Sequence, residues 1–260
     1  MEAFLIYLLK SSGILFIFWL IFTSILKKDT LFKTHRLYLL GGIIISTFLP
    51  FLEFTKSVII SSPQNLIFHE VKNSISSNDS IFIINWPLIL FTIYTLGVVF
   101  FSVRLLIQFI SLKKILNKCI TTKDGGYTIA QTNEDINPFS FFNTIVINPE
   151  LYSSENYNAI LIHEKTHASQ KHSIDMLLVQ LISIYQWVNP FVWLYKKIIS
   201  QNLEFITDAE SINILDDKKA YQYLLLDQTC HYYQKTSITN TFYNSLIKKR
   251  IVMLNQQKSN

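Results

Sequence analysis

Residues 159 to 170 read AILIHEKTHASQ and place His163 and His167 four apart, with Glu164 directly after the first. On a helix, residues i and i+4 share a face one turn apart, so both imidazoles can aim a ring nitrogen at one cation. Zn²⁺ suits such a pair, because imidazole nitrogen binds it at about 2.0–2.1 Å and a catalytic site keeps three protein ligands and one open position. Glu164 then stands where a general base is needed, able to take a proton from an attacking water and deliver it to a leaving amine. Two solvated or core histidines on an ordinary amphipathic helix satisfy the same spacing equally well. A third ligand decides between them.

The surrounding chain says which elements would bring one. SSENYNAILIHEKTHASQKH opens with Ser153 or Ser154 as an N-cap, puts Glu155 in the first turn and ends in Lys171 and His172, which predicts a helix. Next, SIDMLLVQLISIYQWV starts with Ser173 as a cap and Asp175 in the first turn, and Asn189-Pro190 starts another helix with Pro at its first position. The pair predicts a helical hairpin. Residues 175 to 188 lead out and 190 to 204 lead back, each about 20 Å at 1.5 Å per residue, so Glu204 returns to the level of the two histidines. Asp208, four further on, shares its face and is suitably placed to accept the second ring N–H of a metal-bound histidine. Rival ligands fit less well. His172 is about 140° off the face in a continued helix and reads as a helix-end cation, His69 and His35 fall in predicted loops, His231 reads as a surface group, and Glu210 faces elsewhere. Upstream, YTIAQT (127–132) and TIVINP (144–149) have strand character and predict a small β-hairpin or sheet, whose edge in the region 139 to 148 could hold an extended peptide.

The first half of the chain is of another kind. Half of the 260 residues are hydrophobic, 20 are Phe and the mean hydropathy is +0.28, which favours a membrane class. Three apolar runs, 4–26, 37–54 and 87–110, each approach the roughly 20 residues that cross about 30 Å of hydrocarbon. The predicted fold is therefore a mostly α membrane protein, with a membrane domain of three transmembrane helices (1–110) followed by an α+β metallopeptidase domain (111–260). Lys27, Lys28, Lys33 and Arg36 follow the first run and Lys113, Lys114 and Lys118 the third, whereas the loop from 55 to 86 has only Lys56 and Lys72. Positive loops stay inside, so the N-terminus is expected outside and everything beyond about residue 111 in the cytoplasm. The net charge of +5 sits in these short clusters beside apolar runs, so direct nucleic-acid binding is not expected. Tyr185, Trp187, Trp193 and Tyr195 cluster at the hairpin tip, which either dips into the cytoplasmic leaflet or packs against the sheet or the spans. Near the end, Lys248, Lys249 and Arg250 read as a solvated charge run or as contacts to anionic headgroups.

NPFSFFNTIVINPE, HEKTHASQKHSID, WVNPFVWLYKK, NLEFITDAESI and SLIKKRIVML together resemble the BlaR/MecR-type membrane zinc peptidases, signal transducers of beta-lactam resistance. The resemblance implies one Zn²⁺ per chain on His163, His167 and Glu204, Glu164 as general base and Asp208 behind a ligand. It also implies regulated proteolysis of a polypeptide substrate, such as a cytoplasmic repressor or the chain itself, with a partner membrane sensor. The sequence has no Ser-x-x-Lys motif in an extracytoplasmic segment and no penicillin-binding sensor domain, so a covalent beta-lactam adduct is not expected. Two other readings stay open: a quality-control protease of the HtpX type, and a non-proteolytic signalling scaffold with a structural zinc.

Overall fold

A computed structural model describes residues 2–52, 85–233 and 240–256. Most of the loop from 55 to 86, His69 included, and the side chain of His231 lie outside the described residues. The chain begins with α1 (Glu2–Ser24), α2 (Phe32–Phe48, extended by a 3-10 turn over Leu49–Phe51) and α3 (Trp86–Leu116). Two helical stretches, Ala3–Lys28 and Trp86–Leu116, are long and apolar enough to cross a membrane. The second predicted span, 37–54, begins inside the 17-residue α2, and its first twelve residues are the apolar part of that helix. α3 runs without a break past residue 110 to Leu116.

A four-stranded mixed sheet follows, β1 (Ile120–Asp124), β2 (Tyr127–Gln131), β3 (Phe139–Phe141) and β4 (Thr144–Ile147), in the order β1-β2-β4-β3. Gly125 and Gly126, both at positive φ, make the tight turn from β1 to β2. The two predicted strands are thus parallel neighbours rather than a hairpin, with Thr128 opposite Thr144, and the aromatic Phe-Ser-Phe between them forms the edge.

Five helices complete the chain: α4 (Ser154–Ser169), α5 (His172–Tyr185), α6 (Pro190–Leu215), α7 (Lys218–Tyr233) and α8 (Asn240–Leu254). Ser153 caps α4 by accepting the Asn156 N–H, and Asn189 caps α6 by accepting that of Phe191, with Pro190 at the first helical position. α5 and α6 form the expected hairpin. It packs on α1 and α2: one core cluster joins Leu15 and Phe22 of α1, Leu39 and Ile43 of α2, Val179 of α5 and Val192, Tyr195 and Ile199 of α6. A second cluster joins Ile129, Ile147 and Ile160 to Tyr221, Leu224, Leu225 and Ile247, so α7 and α8 close the sheet side.

Two glycines permit the first of these contacts. A β-carbon at Gly97 would lie 2.2 Å from the Trp187 indole, and one at Gly42 would lie 2.3 Å from the Tyr195 hydroxyl. Helices that pack among apolar surroundings gain little from burial alone, and small residues let large side chains approach closely enough for dispersion to act. Hydrogen bonds fix the depth: Trp187 Nε1 donates to Tyr94 O (3.1 Å), Tyr94 Oη to Tyr185 O (2.6 Å) and Gln186 Nε2 to Thr47 Oγ1 (3.3 Å). The tip therefore sits beside α2 one residue before its end and α3 within its third turn, so it packs on these helices rather than on the sheet.

Candidate metal centre

α4 presents His163 and His167 on one face, and α6 crosses it with Glu204 opposite. Their ligand atoms form a small triangle: His163 Nε2 to His167 Nε2 is 3.2 Å, His167 Nε2 to Glu204 Oε1 is 3.6 Å, and His163 Nε2 to Glu204 Oε2 is 3.7 Å. Ligands on a tetrahedral ion with bonds of about 2.0–2.1 Å are separated by about 3.3 Å, so two imidazoles and a carboxylate stand at the spacing a zinc ion needs. Among the described residues this is the cluster of His, Cys, Asp and Glu groups that could hold a metal.

What surrounds the triangle fixes which nitrogen faces it. Tyr221 Oη donates to Asp208 Oδ1 (2.8 Å) and so accepts from His163 Nδ1 (2.8 Å), leaving the lone pair of His163 on Nε2. Asp208 itself is 3.7 Å from His163 Nδ1 and reaches it only through the tyrosine hydroxyl. On the other side, Gln170 donates to Glu210, so its Oε1 is the acceptor that takes His172 Nε2–H (3.2 Å). His172 Nδ1 then accepts His167 Nδ1–H (2.9 Å), and the His167 lone pair also falls on Nε2. Two relays, Asp208-Tyr221-His163 and Gln170-His172-His167, aim both imidazoles inward.

His172 is thus no helix-end cation. Lys171 adopts the left-handed conformation (φ 55°), which breaks the helix and swings His172 under His167; the face angle calculated for a continued helix does not apply. It is 3% exposed, and burial first, then His167 and Arg36, push it down to about 3, so the ring is neutral. Nor does Ser173 cap that helix: its hydroxyl accepts the N–H of Phe142, the left-handed residue in the β3–β4 turn. Glu210 is not part of the triangle; it is bound to Lys33 (2.8 Å) and Gln170.

Arg250 is the largest departure from the sequence reading. Far from belonging to a solvated run, its side chain is 12% exposed, with Nε 2.7 Å from Asp208 Oδ2, Nη2 2.5 Å from Asp208 Oδ1 and Nη1 3.1 Å from Glu204 Oε2. Burial opposes a charged Glu204, but Arg250 and the two histidines outweigh it and hold the carboxyl well below the usual range. Burial lowers His163, but the Glu204 carboxylate overcomes it and raises the ring above its usual value. Burial, reinforced by His163, lowers His167 to about 4. Glu164 and the triangle line one cleft of about 300 Å³, where Glu164 is 8% exposed; burial raises its carboxyl above the usual range although His163 and a hydrogen bond from Ser140 of β3 oppose this. A carboxylate so tuned suits a general base.

Residues 14–254 match the family described as BlaR1 peptidase M56. The chain belongs to that family. Membership implies a membrane-associated metallopeptidase, which agrees with the resemblance read from the sequence, and the His163–His167–Glu204 triangle could hold a metal. No curated protein matches the chain.

Proposed function

We propose that the chain is a zinc-dependent endopeptidase of the cytoplasmic membrane that acts in signalling by cleaving a cytoplasmic regulator or itself. The observation that carries this reading is the convergence of two imidazoles and a carboxylate at zinc spacing with Glu164 beside them. A zinc ion held there would supply Lewis acidity to the attacking water and the scissile carbonyl. Glu164 takes the proton of that water and hands it to the departing amine. The free edge of β3, residues 139–141, is the strand nearest this cleft and would hold the substrate extended; β4 lies inside the sheet and offers no edge. A 330 Å³ groove lined by Leu105 and Phe109 of α3, Phe141, Met176 and Leu177 adjoins it and would take a bulky apolar side chain next to the cleaved bond. In this reading α1, α2 and α3 are three spans, with the N-terminus outside and the metal centre in the cytoplasm, one zinc is held per chain, and a partner membrane protein supplies the stimulus.

The test is metal and mutation together. Purified protein is expected to carry about one zinc per chain, lost when His163 and His167 are replaced by Ala. Glu164→Gln keeps the metal and loses proteolysis. Full proteolysis in Glu164→Gln refutes the mechanism, and signalling that persists without proteolysis favours a scaffold with a structural ion.

A further inference from the structure

Along α6, lined by none of the residues of the metal triangle, lies another cavity of about 530 Å³, bounded by the last turns of α1, the start of α2 and one side of α8. Its walls are apolar, with Trp19, Phe22, Leu194 and Val252 among them. Lys27, Lys197, Lys248 and Lys249 also line it, and Asp29 is its one carboxylate among the described residues. His35 contributes too: it is 2% exposed, and its Nε2 has no hydrogen-bond partner among the described residues. A buried polar atom left so costs stability unless something binds it.

These features demand different things of an occupant. Four cations gathered from three separate helical elements repel one another, and Lys249 is held below its usual range by burial first and then by Lys27 and Lys197. An anion relieves that repulsion but has no use for the apolar walls. A hydrocarbon fills the walls but neither relieves the repulsion among the lysines nor meets His35. An amphiphile with an anionic head, polar linkage oxygens beneath it and a hydrocarbon tail answers all three. The location agrees, because α1 ends at Ser24, three residues before Lys27, so the lysines stand where hydrocarbon gives way to headgroups and Trp19 stands just inside.

We propose that this cavity is a binding site for an anionic phospholipid of the leaflet next to the metal centre. The phosphate sits among Lys27, Lys197, Lys248 and Lys249, a linkage oxygen meets His35 Nε2, and an acyl chain lies along the Trp19 and Val252 wall. The site is separate from the peptidase chemistry and stands whether or not that chemistry is as proposed above.

Native mass spectrometry of the full chain in neutral detergent, titrated with phosphatidylglycerol, phosphatidylcholine or glycerol phosphate, tests it. Phosphatidylglycerol is expected to bind as one tight equivalent, roughly tenfold or more above phosphatidylcholine, and glycerol phosphate only weakly. The Lys248→Gln, Lys249→Gln double variant should lose about tenfold for phosphatidylglycerol with phosphatidylcholine unchanged. Ile198→Trp, which fills the cavity while keeping every lysine, should lose it as well. Equal binding of the two lipids by the wild-type chain overturns the proposal even if a variant fails to fold. So does glycerol phosphate binding as tightly as the lipid, which would make this a small-anion site, or undiminished phosphatidylglycerol binding by both variants.

Discussion

Tyr221→Phe removes a single oxygen from the centre and isolates what holds His163 in place. That oxygen is 2.8 Å from His163 Nδ1 and 2.8 Å from Asp208 Oδ1, while the two residues it joins are 3.7 Å apart, too far to bond directly. Without it, His163 Nδ1–H faces a buried space with no acceptor, whereas Asp208 keeps both of its bonds to Arg250. A buried donor left unsatisfied costs about 1–3 kcal/mol, or roughly 5- to 150-fold in an equilibrium constant. Outer partners of metal-bound histidines usually account for about 10- to 100-fold in affinity. Tyr221→Phe should therefore weaken zinc binding by about 10- to 100-fold, measured by competition with a chromophoric chelator, while the metal-free protein unfolds only slightly earlier. Asp208→Ala should be worse than Tyr221→Phe, because it also removes both Asp208 contacts of the buried Arg250 guanidinium and leaves it only Glu204, and breaking a buried ion pair costs up to about 3–5 kcal/mol. Asp208→Asn should fall between Asp208→Ala and the wild type. Zinc affinity within twofold of wild type in a folded Tyr221→Phe protein would refute the relay.

Replacing His172 by Phe keeps the volume and removes the acceptor of His167 Nδ1–H, so zinc affinity should drop by about 10- to 100-fold; an unchanged dissociation constant would show that His167 is oriented by something else. Gly97→Val drives a side chain into the Trp187 indole and should break its 3.1 Å bond to Tyr94 O, destabilising the chain by about 1–3 kcal/mol and changing its tryptophan emission. Wild-type emission and unfolding in that variant would mean the hairpin does not pack there. For topology, a reporter active only outside the cytoplasm is expected to work when fused near Ser77 and to be silent near Asp124, and the opposite pattern would invert the arrangement.

Much of the centre was legible because its signals are local. The His163–His167 spacing, the Ser153 cap and the Asn189-Pro190 start are each set by residues within a turn of one another, and the length of the hairpin carried Glu204 back by arithmetic alone. The sheet was half legible. β2 and β4 have strand composition, but their parallel pairing depends on a three-residue edge strand whose aromatic sequence resembles a loop. Where a residue's meaning depends on distant partners, the sequence misleads. Arg250 sits after two lysines, and nothing in that run separates the side chain that turns to Asp208, 42 positions back, from the two that line the other cavity. Tyr221 reads as one more apolar position on α7, since only its hydroxyl does polar work and that hydroxyl meets α4 and α6.

His172 shows the same limit at short range, and its case also explains why the two halves of the chain cannot be read apart. The left-handed turn at Lys171 has no glycine or asparagine to announce it, so it must be held by contacts from elsewhere. The contacts come from α2: Arg36 donates to the Gln170 carbonyl (2.8 Å) on one side of the turn and to Asp175 Oδ2 (2.7 Å) on the other. Gln170 in turn holds His172, which holds His167. The tautomer of one histidine in the metal triangle is thereby tied to a basic residue that topology alone would explain as a marker of the membrane's inner face. In this chain one arginine does both, and α2 can be neither shifted nor removed without disturbing the orientation of His167.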